Sequence, residues 1–365
     1  MTSQPAQFFK NHVGLLFALL LTIFAMLPLF QSGFFPIHDD EQVGRLYELD
    51  VALKAGHIPP RIAPDLGFGY GYPLFNFYPS FVYYVAEIFV LIGFSYIIAI
   101  KLMIACGMLA AAYFMYLFAR EYFGETGGVI SSVAYTYAPY HAVDLYVRGA
   151  LPEFWSFAFI PLLFWAYKKL KDSGEMRYVI YAALGMAGLI LTHNLVALMS
   201  VVFLGLYLLY LLLQVKEKRH FITLVFLSGV IGLLLPAYFW IPSFFEKKYT
   251  MIELLTTELA DYRQHFVYLR QLWNSPWGYG GSLYGLYDGL SFQIGKLHIL
   301  FSFAAVFVAV SLTVLRKKQS IILLFFAFFA LSVFLISFYS EFIWNVLQPL
   351  SYIQFPWRFL LFASF

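Results

Sequence analysis

Three carboxylates and a histidine stand in four consecutive positions, His38-Asp39-Asp40-Glu41, directly after the first apolar segment of the chain. Carboxylates clustered in this way can take a proton from a hydroxyl group or hold a cation. At the mouth of a membrane-embedded bundle they point to chemistry or ion handling at the bilayer surface. A helix cap in a solvated loop explains the same residues without chemistry. Asp39-x-x-Gln42 has the form of a capping box, which predicts a helix starting at Asp40 and ended by Gly56 and Pro59-Pro60. Val43, Leu46, Leu49 and Leu53 share one face of that helix, so it should lie along the membrane. The acids then sit at its positive N-terminal end, which favours their ionised form.

Other polar residues break the apolar pattern at fewer places. His141 to Glu153 carries Asp144, Arg148 and Glu153; the last two, flanked by glycine and proline, offer a phosphate contact and a second acid, or plain interface anchors. His193-Asn194 interrupts a long apolar stretch and reads as a polar turn. A plausible amphipathic helix covers Thr250 to Trp273, and Trp277-Gly278-Tyr279-Gly280-Gly281 follows soon after. Aromatics with glycine suit a sugar-stacking lid and, equally, an interfacial belt. Gly67-Phe68-Gly69-Tyr70-Gly71-Tyr72-Pro73 is too rich in glycine for helix. The chain has no Walker A loop, no dinucleotide-binding glycine motif, no Cys/His zinc spacing and no Gly-x-Ser-x-Gly turn. Cytosolic nucleotide chemistry is therefore poorly supported.

The elements that must position these residues are membrane helices. With 62% hydrophobic and 12% charged residues, the chain lies far from soluble domains, whose charged share is about a quarter. The expected fold is all-α, a polytopic transmembrane bundle. A net charge of +3 implies no polyanion or nucleic-acid partner, and the single cysteine, Cys106, reads as a core residue. The first apolar segment, Val13 to Phe30 behind Lys10, is a retained anchor. Further spans are expected at about 96–118, 127–142, 153–167, 178–193, 195–213, 221–241, 298–315 and 320–338. Basic clusters at Lys168 to Lys171, Lys216 to Arg219 and Arg316 to Lys318 are each separated by two spans, so all three loops should be cytoplasmic. Residues 31–95, 143–152, 242–297 and 339–358 then lie outside, provided that the apolar stretch 77–92 rests in the interface without crossing. The last apolar run breaks off at Phe365, so one domain over 1–365 with a further C-terminal part is expected.

A family resemblance adds to this. An N-terminal anchor, an external loop opening on Asp-Asp or Asp-Glu, and an interfacial helix resemble the GT-C glycosyltransferases, which use polyprenyl-phosphate-linked sugars. His38-Asp39-Asp40-Glu41, Gly69-Tyr70-Gly71-Tyr72-Pro73, Arg148-Gly149-Ala150-Leu151-Pro152-Glu153 and Gln354-Phe355-Pro356-Trp357-Arg358 are similar, more closely, to a bacterial membrane family labelled 6-pyruvoyl-tetrahydropterin synthase-related. The resemblance implies an external first-loop acid as catalytic base, Asp40 supported by Asp39, and a lipid-linked sugar donor with a glycan, lipid or protein acceptor. It implies a multi-pass protein of a prokaryotic cytoplasmic membrane with its active face external, in contact with membrane lipid. On this reading Arg148 and Arg358 hold donor phosphate, and His38, Glu41 and His193 line the substrate site. Asp144 and Glu153 are the acids available to a divalent cation (Mg or Mn). Several GT-C branches carry Asp-x-Asp in this second segment, which the chain lacks. The rival readings are a transporter or flippase of lipid-linked sugars and a non-catalytic assembly protein.

Overall fold

A lipid environment leaves backbone polar groups no partner but each other, so long apolar runs must close as helices. The computed structural model describes residues 4–251, 254, 256–257, 260–314 and 320–365, and among these it is all-α, with one isolated bridge, Ala63 to Tyr72. The chain divides into two compact units: residues 1–136 with 149–247, and residues 137–148 with 248–365.

The first unit holds α1 (Gln4–Ala25), α2 (Gln42–Lys54), α3 (Phe81–Leu91), α4 (Tyr96–Thr136), α5 (Leu151–Ser173), α6 (Met176–Thr192), α7 (Asn194–Leu212), α8 (Lys218–Leu234) and α9 (Ala237–Glu246). By length and composition α4 and α7 are long and apolar enough to cross a membrane, and α8 with its continuation is a bent pair. Yet α4 is not one rod. Gly124 leaves the helical region with φ 71°, and Ser132 Oγ donates to the Ala112 carbonyl at 2.8 Å. Twenty residues of straight helix would separate these two by about 30 Å. Residues 96–123 and 125–136 are therefore two arms folded back on each other, in line with the two spans expected there. The second arm is shorter than expected, ending at Thr136 where a span to 142 was predicted.

Contacts fix the direction of each helix within this unit. At one end the Gly14 amide donates to Glu125 at 2.8 Å and Lys169 pairs with Glu121 at 3.3 Å. At the other, Lys101 donates to the Gln31 carbonyl at 2.5 Å. Lys171 donates to Gln214 at 3.4 Å, so the basic segment 168–171 and the turn leading into 216–219 share the end that holds Gly14, and the first loop occupies the opposite one, as the charge pattern predicts. The third basic cluster, Arg316 to Lys318, lies outside the described residues. α3 is only 11 residues long, about 16 Å, too short to cross. Sequence reading missed one break: the span expected at 221–241 stops at Leu234, and the chain bends by 67° through Pro236 into α9. Proline there has no amide hydrogen with which to continue the ladder.

The second unit holds α10 (Lys296–Val314) and α11 (Ser320–Ile336), with short turns around them. α11 meets the following helical segment Phe338–Val346 at 87°. The amphipathic helix expected from Thr250 to Trp273 falls partly on residues outside the described set. Its described part forms only a turn at Tyr262–Gln264 and a short helix at Leu269–Trp273.

Candidate functional site

The acidic run is exposed but held at both flanks by one residue. Ile37 and Gln42 are buried, whereas His38, Asp39, Asp40 and Glu41 are exposed. The Gln42 side chain donates to the Gly149 carbonyl at 2.7 Å and accepts from Tyr83 Oη at 2.6 Å. Ile37 packs on the α-carbon of the same Gly149, where a β-carbon would come within 2.5 Å of its Cδ1. Gly149 has φ +67°, a backbone region that glycine tolerates and other residues resist. The expected capping box is absent. α2 begins at Gln42 behind Glu41, with no side-chain cap, because the glutamine that would complete the box is drawn into the Gly149 contact. Glu41 pairs instead with Arg45 at 2.7 Å, and Arg45 donates to Tyr78 Oη at 2.9 Å. Burial, with Tyr78 beside it, pushes the Tyr83 phenol well above its ordinary range, so it remains a donor to Gln42.

A second cluster joins α2 to α3. Asp50 and Glu87 are both buried, and Asp50 Oδ2 accepts from Lys54 at 2.7 Å and from Tyr96 Oη at 2.6 Å. Burial, then the charge and hydrogen bond of Asp50, raise Glu87 to about 7. Burial would raise Asp50 as well, but hydrogen bonds from Lys54 and Tyr96 hold it below the usual carboxylate range. The ionised Asp50 thus favours the protonated form of Glu87, as two carboxyl groups in one buried site must divide. Sequence reading did not single out this pair; the signal was Glu87, an acid inside an otherwise apolar segment.

Glu153, fully buried in the first turn of α5, faces His193 Nε2 at 3.8 Å. His193 Nδ1 accepts from the Val196 amide at 3.2 Å and caps α7. With Nδ1 as the acceptor, the ring's proton belongs on Nε2, facing the carboxylate. The polar turn expected at His193-Asn194 is present, and it also brings an imidazole to Glu153.

In the second unit, Asp144–Arg148 forms a π-helical turn, a form common at functional positions. Arg148 pairs with the buried Asp144, donates to Tyr140 Oη at 3.2 Å, and lies over the Trp357 ring at 4.6 Å. Two of the short motifs, far apart in sequence, meet in that stacking. Arg358 is buried, donates to the Ile353 carbonyl at 2.7 Å and lies 5.1 Å over Phe355. A cleft of about 430 Å³ in this unit is lined by Arg263, Phe266, Tyr268, Tyr284, Phe338 and Glu341.

For a divalent cation the donor set is thin. Asp144 is engaged by Arg148 and Glu153 faces His193. Among the described residues no group of three or more His, Cys, Asp or Glu side chains converges as a metal site requires.

Comparison with known proteins agrees with the membrane character. A family model described as 6-pyruvoyl-tetrahydropterin synthase related domain, membrane protein, matches residues 75–365. The matched region takes in Arg148 to Glu153, His193 and Gln354 to Arg358, while the acidic run 38–41 precedes it. An uncharacterized protein of Lactococcus lactis subsp. cremoris (strain MG1363) is 26% identical over 234 residues. That alignment covers 61% of this chain and 38% of the relative, so the chain spans well under half of the relative's length.

Proposed function

The chain belongs to the 6-pyruvoyl-tetrahydropterin synthase related family of membrane proteins, and on the geometry of its first loop we propose that it is a glycosyltransferase. It transfers a sugar from a polyprenyl-phosphate-linked donor to an acceptor hydroxyl at the outer face of a prokaryotic cytoplasmic membrane. The observation that carries this reading is the exposed Asp39-Asp40 pair on a segment fixed at both flanks by Gly149. A general base must reach its proton without wandering, and a pinned, solvent-facing carboxylate meets that need. Asp40 takes the proton of the acceptor hydroxyl as its oxygen bonds to the anomeric carbon. The bond from that carbon to the phosphate oxygen breaks, and the lipid phosphate departs with the electron pair. Arg148 and Arg358 are the cations proposed to receive that charge. His38, Glu41 and His193 are proposed substrate contacts, and Glu153 an acceptor contact. No step is assigned to a metal.

One observation favours a second reading. A buried carboxyl pair that holds a proton near neutral pH, Asp50 with Glu87, suits a proton-coupled carrier of lipid-linked sugars. The test separates the two. Protein reconstituted in nanodiscs is given radiolabelled undecaprenyl-phosphate hexoses, and donor binding and sugar transfer are measured apart. Asp40→Asn should bind donor as the parent does and lose roughly 10²-fold or more in turnover. Full transfer by both Asp40→Asn and Asp39→Asn would remove this loop from the chemistry. Lipid-linked sugar crossing proteoliposomes unmodified, with uptake of protons, would establish the carrier instead.

A further inference from the structure

The glycine-rich segment 67–73 has no part in the chemistry above, yet it is built with care. Ala63 and Tyr72 exchange backbone hydrogen bonds at 2.8 and 3.0 Å, and the Gly71 amide donates to the Leu66 carbonyl at 3.0 Å, which closes a short hairpin. Gly67, Gly69 and Gly71 all have positive φ, and so does Phe68 at +60°. A bulky residue in that region is a rare, disfavoured state, held only where the surroundings enforce it. Its result is a Phe68 ring exposed at 102% and a Tyr70 ring at 94%. Two exposed rings two residues apart on one tight hairpin make an apolar tip, the kind of surface that suits an interaction site.

The base of the hairpin is clamped. Arg61 pairs with Glu246, the last residue of α9, and Asn76 donates to the same carboxylate at 3.0 Å. Arg61 Nε also donates to Asn76 Oδ1 at 2.8 Å. The clamp ties the hairpin to a helix of definite character. α9 turns 67° away from the apolar α8 and exposes Tyr238, Ile241 and Phe245 along one face, with Lys247 just beyond its end over the Phe244 ring. A short helix bent off a span, with aromatics on one face and lysine at its end, has the make-up of an interfacial helix.

We propose that this hairpin is a lipid-binding finger: Phe68 and Tyr70 enter the bilayer interface beside the exposed face of α9. The chemistry of the tip favours lipid over a glycan. A sugar subsite sets planar hydrogen-bonding side chains beside its rings. From Leu66 to Phe75 the only polar side-chain atoms are tyrosine hydroxyls. The flanking polar groups are engaged with each other, Arg61 and Asn76 at Glu246 and Asp65 with Tyr47 at 3.3 Å. Tyrosine, with an apolar body and a polar tip, suits the headgroup boundary. The proposal does not depend on the glycosyltransferase reading.

The test uses the whole chain with Cys106→Ala and one new cysteine, Phe68→Cys or, separately, Tyr70→Cys. Each is labelled with an environment-sensitive fluorophore in phosphatidylcholine vesicles containing a minority of phosphatidylglycerol. Blue-shifted emission, quenched several-fold by lipids carrying a nitroxide at the headgroup or upper chain and little by aqueous iodide, is expected at both positions. Glu246→Ala should reduce the nitroxide quenching by releasing the clamp. Iodide-dominated quenching at both positions overturns the proposal, and so does shielding that appears only when a soluble glycan is added. Nitroxide quenching unchanged in Glu246→Ala overturns the role given to the clamp. None of these readouts requires sugar transfer, so loss of the enzymatic reading leaves the result interpretable.

Discussion

Gly149→Ala tests the support of the acidic run most directly. A β-carbon at Gly149 would lie 2.5, 2.8 and 2.9 Å from Cδ1, Cβ and Cγ1 of Ile37, the residue just before His38. Two costs add. Holding alanine at φ +67° costs about 1–2 kcal/mol. Forcing Ile37 away costs about 1–3 kcal/mol more, the usual range for overpacking. Gly33 supplies an internal control, since it has φ +69° with nothing within 4 Å of its would-be β-carbon. Gly33→Ala should therefore show the backbone cost alone. Thermal unfolding in nanodiscs, followed by tryptophan fluorescence, should place Gly149→Ala below Gly33→Ala by roughly 1–3 kcal/mol. Adding Ile37→Ala removes the Cδ1 and Cγ1 contacts but keeps Cβ. The double variant should thus fall short of additivity by about 1 kcal/mol. Transfer activity should fall further than stability, because even about 1 Å of displacement of a base can cost on the order of 10²-fold. Equal stability of Gly149→Ala and Gly33→Ala, or strict additivity with Ile37→Ala, would show that Ile37 and Gly149 are not in contact.

The carboxyl pair predicts a pH dependence. Glu87 is raised from 4.5 to about 7, so the folded state binds its proton more tightly than the unfolded chain does. That stabilisation is complete below about pH 4.5 and is lost as pH rises through about 7. Asp50, held below 3.8, acts in the opposite sense only at more acid pH. Melting temperature should therefore fall between about pH 5 and pH 8, and Glu87→Gln should flatten that slope; an unchanged slope would deny that folding raises Glu87. In the second unit, Arg148→Ala strands the buried Asp144 charge and should cost about 3–5 kcal/mol. Arg148→Ala with Asp144→Asn should recover part of that loss in the same melting assay, and strict additivity would show the pair to be unimportant.

Much of the helical architecture follows from composition. Apolar runs long enough to bury their own backbone can only be helices, so α6 and α7 stand within two residues of where periodicity and loop charge put them, whereas α1 starts at Gln4 and ends at Ala25 where a segment from Val13 to Phe30 was expected, and α5 runs on to Ser173. The parity of the basic loops anticipated which helix ends meet, because alternation of direction is a counting property of a polytopic chain. Asp39, Asp40 and Glu41 were visible as an exposed cluster because charge in such a chain has few places to go. Even the break before α9 was present in the sequence as Pro236, though outweighed by the hydropathy around it.

Partnership was not legible. Gln42 completes a capping box on paper, but its amide reaches Gly149, 107 positions away, and no local pattern encodes that choice. Glu87 looked like a stray acid until tertiary packing set Asp50 against it. Arg148, read from sequence as a phosphate ligand or an anchor, is placed by the fold against Asp144 and over the Trp357 ring. Which segments must leave water depends on the summed transfer energy of neighbouring residues, and that is readable along the chain. Which buried polar group meets which depends instead on how the helices pack. Each such group must find its partner among whatever side chains the packed helices deliver, however far apart they stand in the chain.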